Sequence, residues 1–155
     1  MIVLCFILLL LACDPVTVTL KPDDKPKPTD IQVTLNQNRT KWASEMKPDY
    51  RFNFRWICFC VPEYIKLANI SVRQNTIDSA TFVEDGVPIV AEGLERYQTI
   101  EELFDLIQEA IDENAHSISA GYHSELGYPM DVWIDYSAGI ADEERGFKID
   151  NLVTE

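Results

Sequence analysis

The sequence predicts an α+β domain in which two helix-plus-three-strand units form an antiparallel sheet with helices packed on one face. Three observations carry this. Several short segments alternate apolar and polar residues with the period of a half-buried strand. Two segments place apolar residues four apart, as on one helix face. The order of these segments is helix, three strands, helix, three strands, and strands joined by short connections pair antiparallel.

Asn36 to Lys47 reads as a short helix, with Trp42 and Met46 four apart and Pro48 as its stop. From Tyr50 to Cys60, Phe52, Phe54, Trp56, Cys58 and Cys60 alternate with Asn53, Arg55, Ile57 and Phe59, which predicts a strand ended by Pro62. Ala68, Ile70 and Val72 alternate with Asn69, Ser71 and Arg73 in a second strand. Ile77 to Glu84 reads as a third, closed by an Asp85-Gly86 turn. Thr99 to Glu102 has capping-box spacing and opens the second helix. Its apolar stripe is Ile100, Leu103, Phe104, Ile107 and Ile111. Three strands follow: Ile118, Ala120 and Tyr122; then Met130, Val132, Ile134 and Tyr136; then Phe147 to Val153.

The halves keep register at a constant offset, Trp42 falling on Phe104, Trp56 on Ile118 and Ile70 on Val132, which suggests a duplication. Whatever its origin, the pattern leaves one sheet face apolar. The opposite face is expected to carry Asn53, Arg55, Asn69, Arg73, Asp131, Trp133 and Asp135.

The chain divides into three parts. Residues 1–12 read as a signal peptide, since the uncharged run Ile2 to Leu11 falls well short of the roughly 20 residues a membrane-crossing helix needs. It ends in Leu10-Leu11-Ala12-Cys13, the pattern of a bacterial lipoprotein signal, and Cys13 is the expected site of lipidation. Residues 13–35 read as the lipidated cysteine and a Pro/Lys/Asp-rich tether. Residues 36–155 are one domain's worth of chain. This arrangement predicts a cell-envelope protein held to a membrane by lipid, its domain facing the periplasm or the cell exterior.

The net charge of −13 and the lack of any basic cluster argue against nucleic acid as a partner and against lying flat on anionic lipid. The expected partners are the membrane, through the anchor, and an envelope protein. No Gly-rich phosphate loop, Gly-x-Ser-x-Gly or His-Glu-x-x-His signature is present, so the reading is non-enzymatic, with no cofactor and no metal.

The strand ending in Cys58-Phe59-Cys60, the Asp85-Gly86 turn, the run from Tyr122 through Gly127-Tyr128-Pro129 to Tyr136, and Asp142-Glu143-Glu144 together resemble a group of bacterial envelope lipoproteins, domain-of-unknown-function family 6174. The likeness covers most of residues 40–152. It implies fold and compartment and leaves activity open. The helix-plus-strands arrangement is also similar to secreted domains that inhibit envelope hydrolases, a likeness of architecture alone.

Cys58 and Cys60 are the only cysteines inside the predicted domain. On an extended strand their Cα atoms stand roughly 6.6 Å apart, near the upper limit for a disulfide, so closing the bond needs a bend or bulge. Two readings stay open: a buried pair or structural disulfide, and a thiol redox or metal-handling pair. His116 and His123 are the remaining candidate zinc ligands, and nothing in the spacing forces them toward the thiols. Asp142, Glu143 and Glu144 lack calcium-loop spacing and read as a solvated turn. Tyr128, Trp133 and Asp135 form a candidate binding surface, with a core Tyr128 and a half-buried Trp133 as the structural alternative. The sequence therefore predicts a lipid-anchored binding domain of unknown molecular activity. The alternatives are thiol chemistry at Cys58 and Cys60, or inhibition of an envelope hydrolase.

Overall fold

Pro28, a residue suited to the first turn of a helix, opens the first described element. The computed structural model describes residues 28–45 and 48–154. Its elements are α1 (Pro28–Glu45), β1 (Tyr50–Cys58), β2 (Ala68–Arg73), β3 (Thr76–Phe82), α2 (Ala91–Leu94), α3 (Ile100–Asp112), β4 (Ser117–Tyr122), β5 (Pro129–Asp135) and β6 (Arg145–Thr154). The fold is α+β, with six strands in one open antiparallel sheet of order β3-β2-β1-β6-β5-β4.

Three elements follow directly from local chemistry. In α3, Thr99 accepts from the Glu102 amide while the Glu102 carboxylate accepts from the Thr99 amide, completing the capping box. Of its expected stripe Ile100, Leu103, Phe104 and Ile107 are buried and Ile111 is half-buried, with Leu106 and Ala110 buried beside them. Between β2 and β3, Gln74 and Asn75 both take positive φ, the conformation a two-residue hairpin turn requires. In β1, Tyr50, Phe52 and Phe54 are buried and pack edge-on or stacked along the strand at centroid distances of 5.9 and 6.4 Å.

The first helix differs from expectation. It starts at Pro28 rather than Asn36, so residues 28–35, assigned above to the tether, are helical, and Leu35 is fully buried. A proline in the first turn loses no hydrogen bond, so the Pro-rich composition hid a helix start. The signal, Cys13 and the tether through residue 27 lie outside the described residues, as does Met46.

Helices α1 and α3 run antiparallel on the same sheet face. Gln32 exchanges hydrogen bonds with Gln108 at one end, Arg39 pairs with Asp105 at 2.9 Å, and Trp42 donates to Glu101 at 3.0 Å at the other. Strand β6 lies beside β1, with Trp56 opposite Phe147 and Phe54 opposite Ile149. That order does not reproduce the suggested duplication. Carrying β1-β2-β3 onto β4-β5-β6 reverses every strand without reversing their order, which turns the sheet over. Yet Trp56 and its counterpart Ile118 both face the same core. The offset reflects two amphipathic units of similar spacing rather than a symmetric pair.

Candidate binding surface

Because both long helices cover one face of the sheet, the other is open, and the strand register orders its side chains into rows. In one row Ile57 lies opposite Gly146, and Gly146 opposite Trp133. A Cβ on Gly146 would strike the Val132 carbonyl oxygen and stand 3.0 Å from Trp133 Cε3. The indole thus lies over the glycine and is 40% exposed. In the next row Arg55 is opposite Lys148, whose ammonium sits 2.9 Å from Asp131. A third row is a hydrogen-bonded chain: Asn69 Nδ2 donates to Asn53 Oδ1, and Asn53 Nδ2 donates to Asp150 Oδ1. This satisfies Asn53, which is nearly buried.

The Ile57 row continues into the loop after β1. The strand ends at Cys58, the chain bends, and Cys58 is disulfide-bonded to Cys60 with Cα atoms 5.2 Å apart. This is the bend that bridging two positions so close required. Phe59, at its apex, is 85% exposed. Val61, Tyr64 and Ile65 are exposed on the same loop. The loop is held in place from below. Arg96 lies 4.9 Å from the Tyr64 ring centroid, approaches Glu63 at 4.0 Å, and donates through Nε to the Gly93 carbonyl. Beside it, Val83, Val87 and Val90 are also exposed. Their segment meets the loop where the Val83 amide donates to the Leu67 carbonyl. Large apolar side chains gathered on fixed loops are the usual mark of a contact surface.

The residues singled out from sequence separate. Trp133 is on the open face, whereas Tyr128 is buried beneath α1, 6.1 Å edge-on to Trp42 and stacked on His123 at 4.9 Å. Asp135 accepts from the Ser137 amide and so holds a turn. Glu143 accepts from the amides of Tyr136 and Ser137, giving that acidic segment a structural role. His123 Nδ1 accepts from the amides of Glu125 and Leu126, at the end of the sheet opposite Cys58. His116 precedes β4, three strand spacings or about 14 Å across the sheet from β1. Neither histidine meets the cysteines. Among the described residues no group of three or more His, Cys, Asp or Glu is placed to hold a metal ion.

The resolved proton shifts belong to tyrosines beneath the helices, and each has burial as its main cause. Burial raises Tyr50, with the Glu101 carboxylate adding to it. Burial pushes Tyr122 up to about 12 against the opposing pull of Arg39. Tyr97 and Tyr128 are raised in the same way. These rings pack in or against the core.

The model of a family of unknown function, DUF6174, matches residues 34–154. The chain belongs to this family. The DUF6174 match begins within α1 and ends with β6, so it covers all six strands and α3. No curated protein and no solved structure matches the chain. Among the described residues of this DUF6174 member, no helix is long and apolar enough to cross a membrane.

Sequence reasoning missed Phe59 as a surface feature. Alternation set it opposite the core, and the flanking cysteines were the available sign that the chain turns there and lifts its ring into solvent.

Proposed function

We propose that this DUF6174 protein is a lipid-anchored component of a bacterial envelope whose domain binds another envelope protein and carries out no chemistry itself. The observation that supports binding is the disulfide-closed apex at Phe59, flanked by Val61, Tyr64 and Ile65 and continuous by register with Ile57 and Trp133. Rigid, exposed aromatic and aliphatic side chains form the anchors of protein interfaces. Inhibition of an envelope hydrolase is a special case of this reading. The lipid anchor is supported by the Leu-Leu-Ala-Cys13 signal.

Two experiments test the two halves. Fractionation of cells expressing Cys13→Ser tests the anchor: release from membranes is expected, and full retention overturns it. Crosslinking in intact cells followed by pull-down, wild type against Phe59→Ser, tests binding. A protein captured by wild type and lost in the variant is expected; equal capture by both, or none by either, overturns it.

A second reading uses Cys58 and Cys60 as a thiol–disulfide couple, favoured by the exposure of Cys60 and by Arg145 opposite Cys58 on β6. In such a step a dithiol donor gives two electrons to the bond, becomes a disulfide, and leaves both cysteines as thiols. Ready reduction of the wild-type bond by a dithiol, with a measurable exchange equilibrium, argues for the couple, and a bond that resists the dithiol while the Phe59-dependent complex forms argues for the binding reading.

A further inference from the structure

Cations and carboxylates are used differently around the Phe59 apex. The exposed apolar surface there is built from residues 59–66 and 83–96, which carry two cations and five carboxylates. Both cations are turned back onto rings. Lys66 Nζ lies 5.1 Å from the Phe82 centroid, and the Arg96 guanidinium lies 4.9 Å from that of Tyr64 and 5.7 Å from that of Tyr97. They brace the loop from within. Glu63 approaches Arg96 at 4.0 Å. Glu84, Asp85, Glu92 and Glu95 are exposed, and among the described residues no Lys or Arg pairs with them.

These four carboxylates are interleaved with the exposed valines. Glu84 and Asp85 stand between Val83 and Val87, and Glu92 and Glu95 follow Val90. Glu92 and Glu95 are also three apart at α2, a spacing at which like charges repel. The rest of the chain does not offset them, since its net charge is −13. A protein interface has an apolar centre inside a polar rim. Here the rim has one sign, and the sign selects the occupant. An anionic bilayer is repelled by it. A second copy, brought face to face by a two-fold axis, sets these carboxylates against the same carboxylates.

We propose that the partner is a different protein, which meets this surface with an apolar pocket bordered by Lys and Arg. This deepens the binding reading above and rests on it. The two kinds of contact have separate tasks. Phe59 and the valines fill the pocket and hold the complex, so they set its rate of dissociation. The carboxylates attract the basic border before contact and reject acidic surfaces, so they set the rate of association.

The test replaces Glu84→Gln, Asp85→Asn, Glu92→Gln and Glu95→Gln together in the full-length protein. All four are exposed, and Asp85→Asn keeps an oxygen for the Val87 amide that Asp85 Oδ1 now accepts, so the urea midpoint should stay at the wild-type value. The protein crosslinked to the Phe59 loop in intact cells is purified, and its association with wild type and variant is timed. Neutralisation is expected to slow association on the order of tenfold with dissociation little changed. Raising salt from about 0.1 M to about 1 M, which shortens the screening length from about 10 Å to about 3 Å, should slow wild type and hardly affect the variant. The crosslinked partner peptide should carry Lys or Arg beside apolar residues. Equal association rates, or an acidic partner peptide, overturn this inference while Phe59-dependent capture preserves the binding reading. A captured protein that is this chain itself overturns it in favour of a second copy. No capture, or capture that Phe59→Ser leaves unchanged, overturns both.

Discussion

The Tyr50 hydroxyl donates to Glu101 Oε2 at 2.9 Å and accepts from the Ile100 amide at 3.1 Å, so one oxygen joins the first residue of β1 to the first turn of α3. Trp42 donates to the other oxygen of the same carboxylate. Three elements, α1, β1 and α3, thereby meet at Glu101, which also sits favourably near a helix N-terminus. Tyr50→Phe keeps the ring and deletes the oxygen, leaving Ile100 N–H without its acceptor. The expected cost is about 1–3 kcal/mol, read as a lower urea midpoint with an unchanged slope. A midpoint equal to wild type would show that the junction is held by packing alone.

Among the described glycines, Gly146 leaves the least room for a side chain. A methyl group there meets the Val132 carbonyl oxygen, which cannot move without breaking the β5–β6 ladder, and presses on the Trp133 ring. Gly146→Ala is expected to destabilise by several kcal/mol, in the range of overpacked cores, and to shift Trp133 fluorescence toward that of exposed indole. Pairing it with Trp133→Ala separates the two contacts. Relief of most of the cost places the strain on the ring, and no relief places it on the backbone.

The parts of this fold that were legible in the sequence are those whose chemistry is local. Alternation through Phe52, Phe54, Trp56 and through Ala68, Ile70, Val72 needs no partner to be read, and the Thr99–Glu102 box marks its own helix. The start of α1 was not legible. Its buried contacts are few, Leu35 and Trp42 chief among them, and its first residue is a proline in a Pro-rich stretch. The placement of β6 beside β1 was not legible either. It joins residues such as Phe54 and Ile149 across most of the domain, and nothing local distinguishes that pairing from β1 beside β4. For the surface, Trp133 was readable from alternation. Tyr128 reads both as a surface anchor and as a core ring beside a half-buried Trp133, and the fold takes the second of these. In the fold Gly127 takes positive φ and packs against the Asn38 carbonyl, turning Tyr128 inward.

The Cys58–Cys60 bond closes a very short loop, so its effect on global stability is small. The chain-entropy relation gives under about 2 kcal/mol for a ring of this size. The double replacement Cys58→Ser, Cys60→Ser is therefore expected to leave a folded domain, with its urea midpoint lowered only slightly. Hydrogen exchange should instead rise locally in residues 59–66, where the bond fixes the Phe59 apex. Global unfolding of the double variant would show that the bond carries far more than loop entropy.

Alkaline pH supplies the last test of the core. Burial lifts the Tyr122 hydroxyl from 10.0 to about 12, while in the unfolded chain it titrates at its ordinary value. Between those values the unfolded state releases a proton that the native state retains. Stability is thus fully present below pH 10 and is lost as pH rises toward 12. Tyr50 is raised further and adds a loss in the same direction. Urea midpoints measured from pH 8 to pH 12 should stay level and then fall. Tyr122→Phe keeps the ring that stacks on Phe104 at 6.3 Å and removes the titrating oxygen, whose hydroxyl has no hydrogen-bond partner among the described residues. The variant should match or exceed wild type at pH 8 and decline less steeply above pH 10. Parallel curves for the two proteins would mean that Tyr122 titrates in the native state as it does in the unfolded chain.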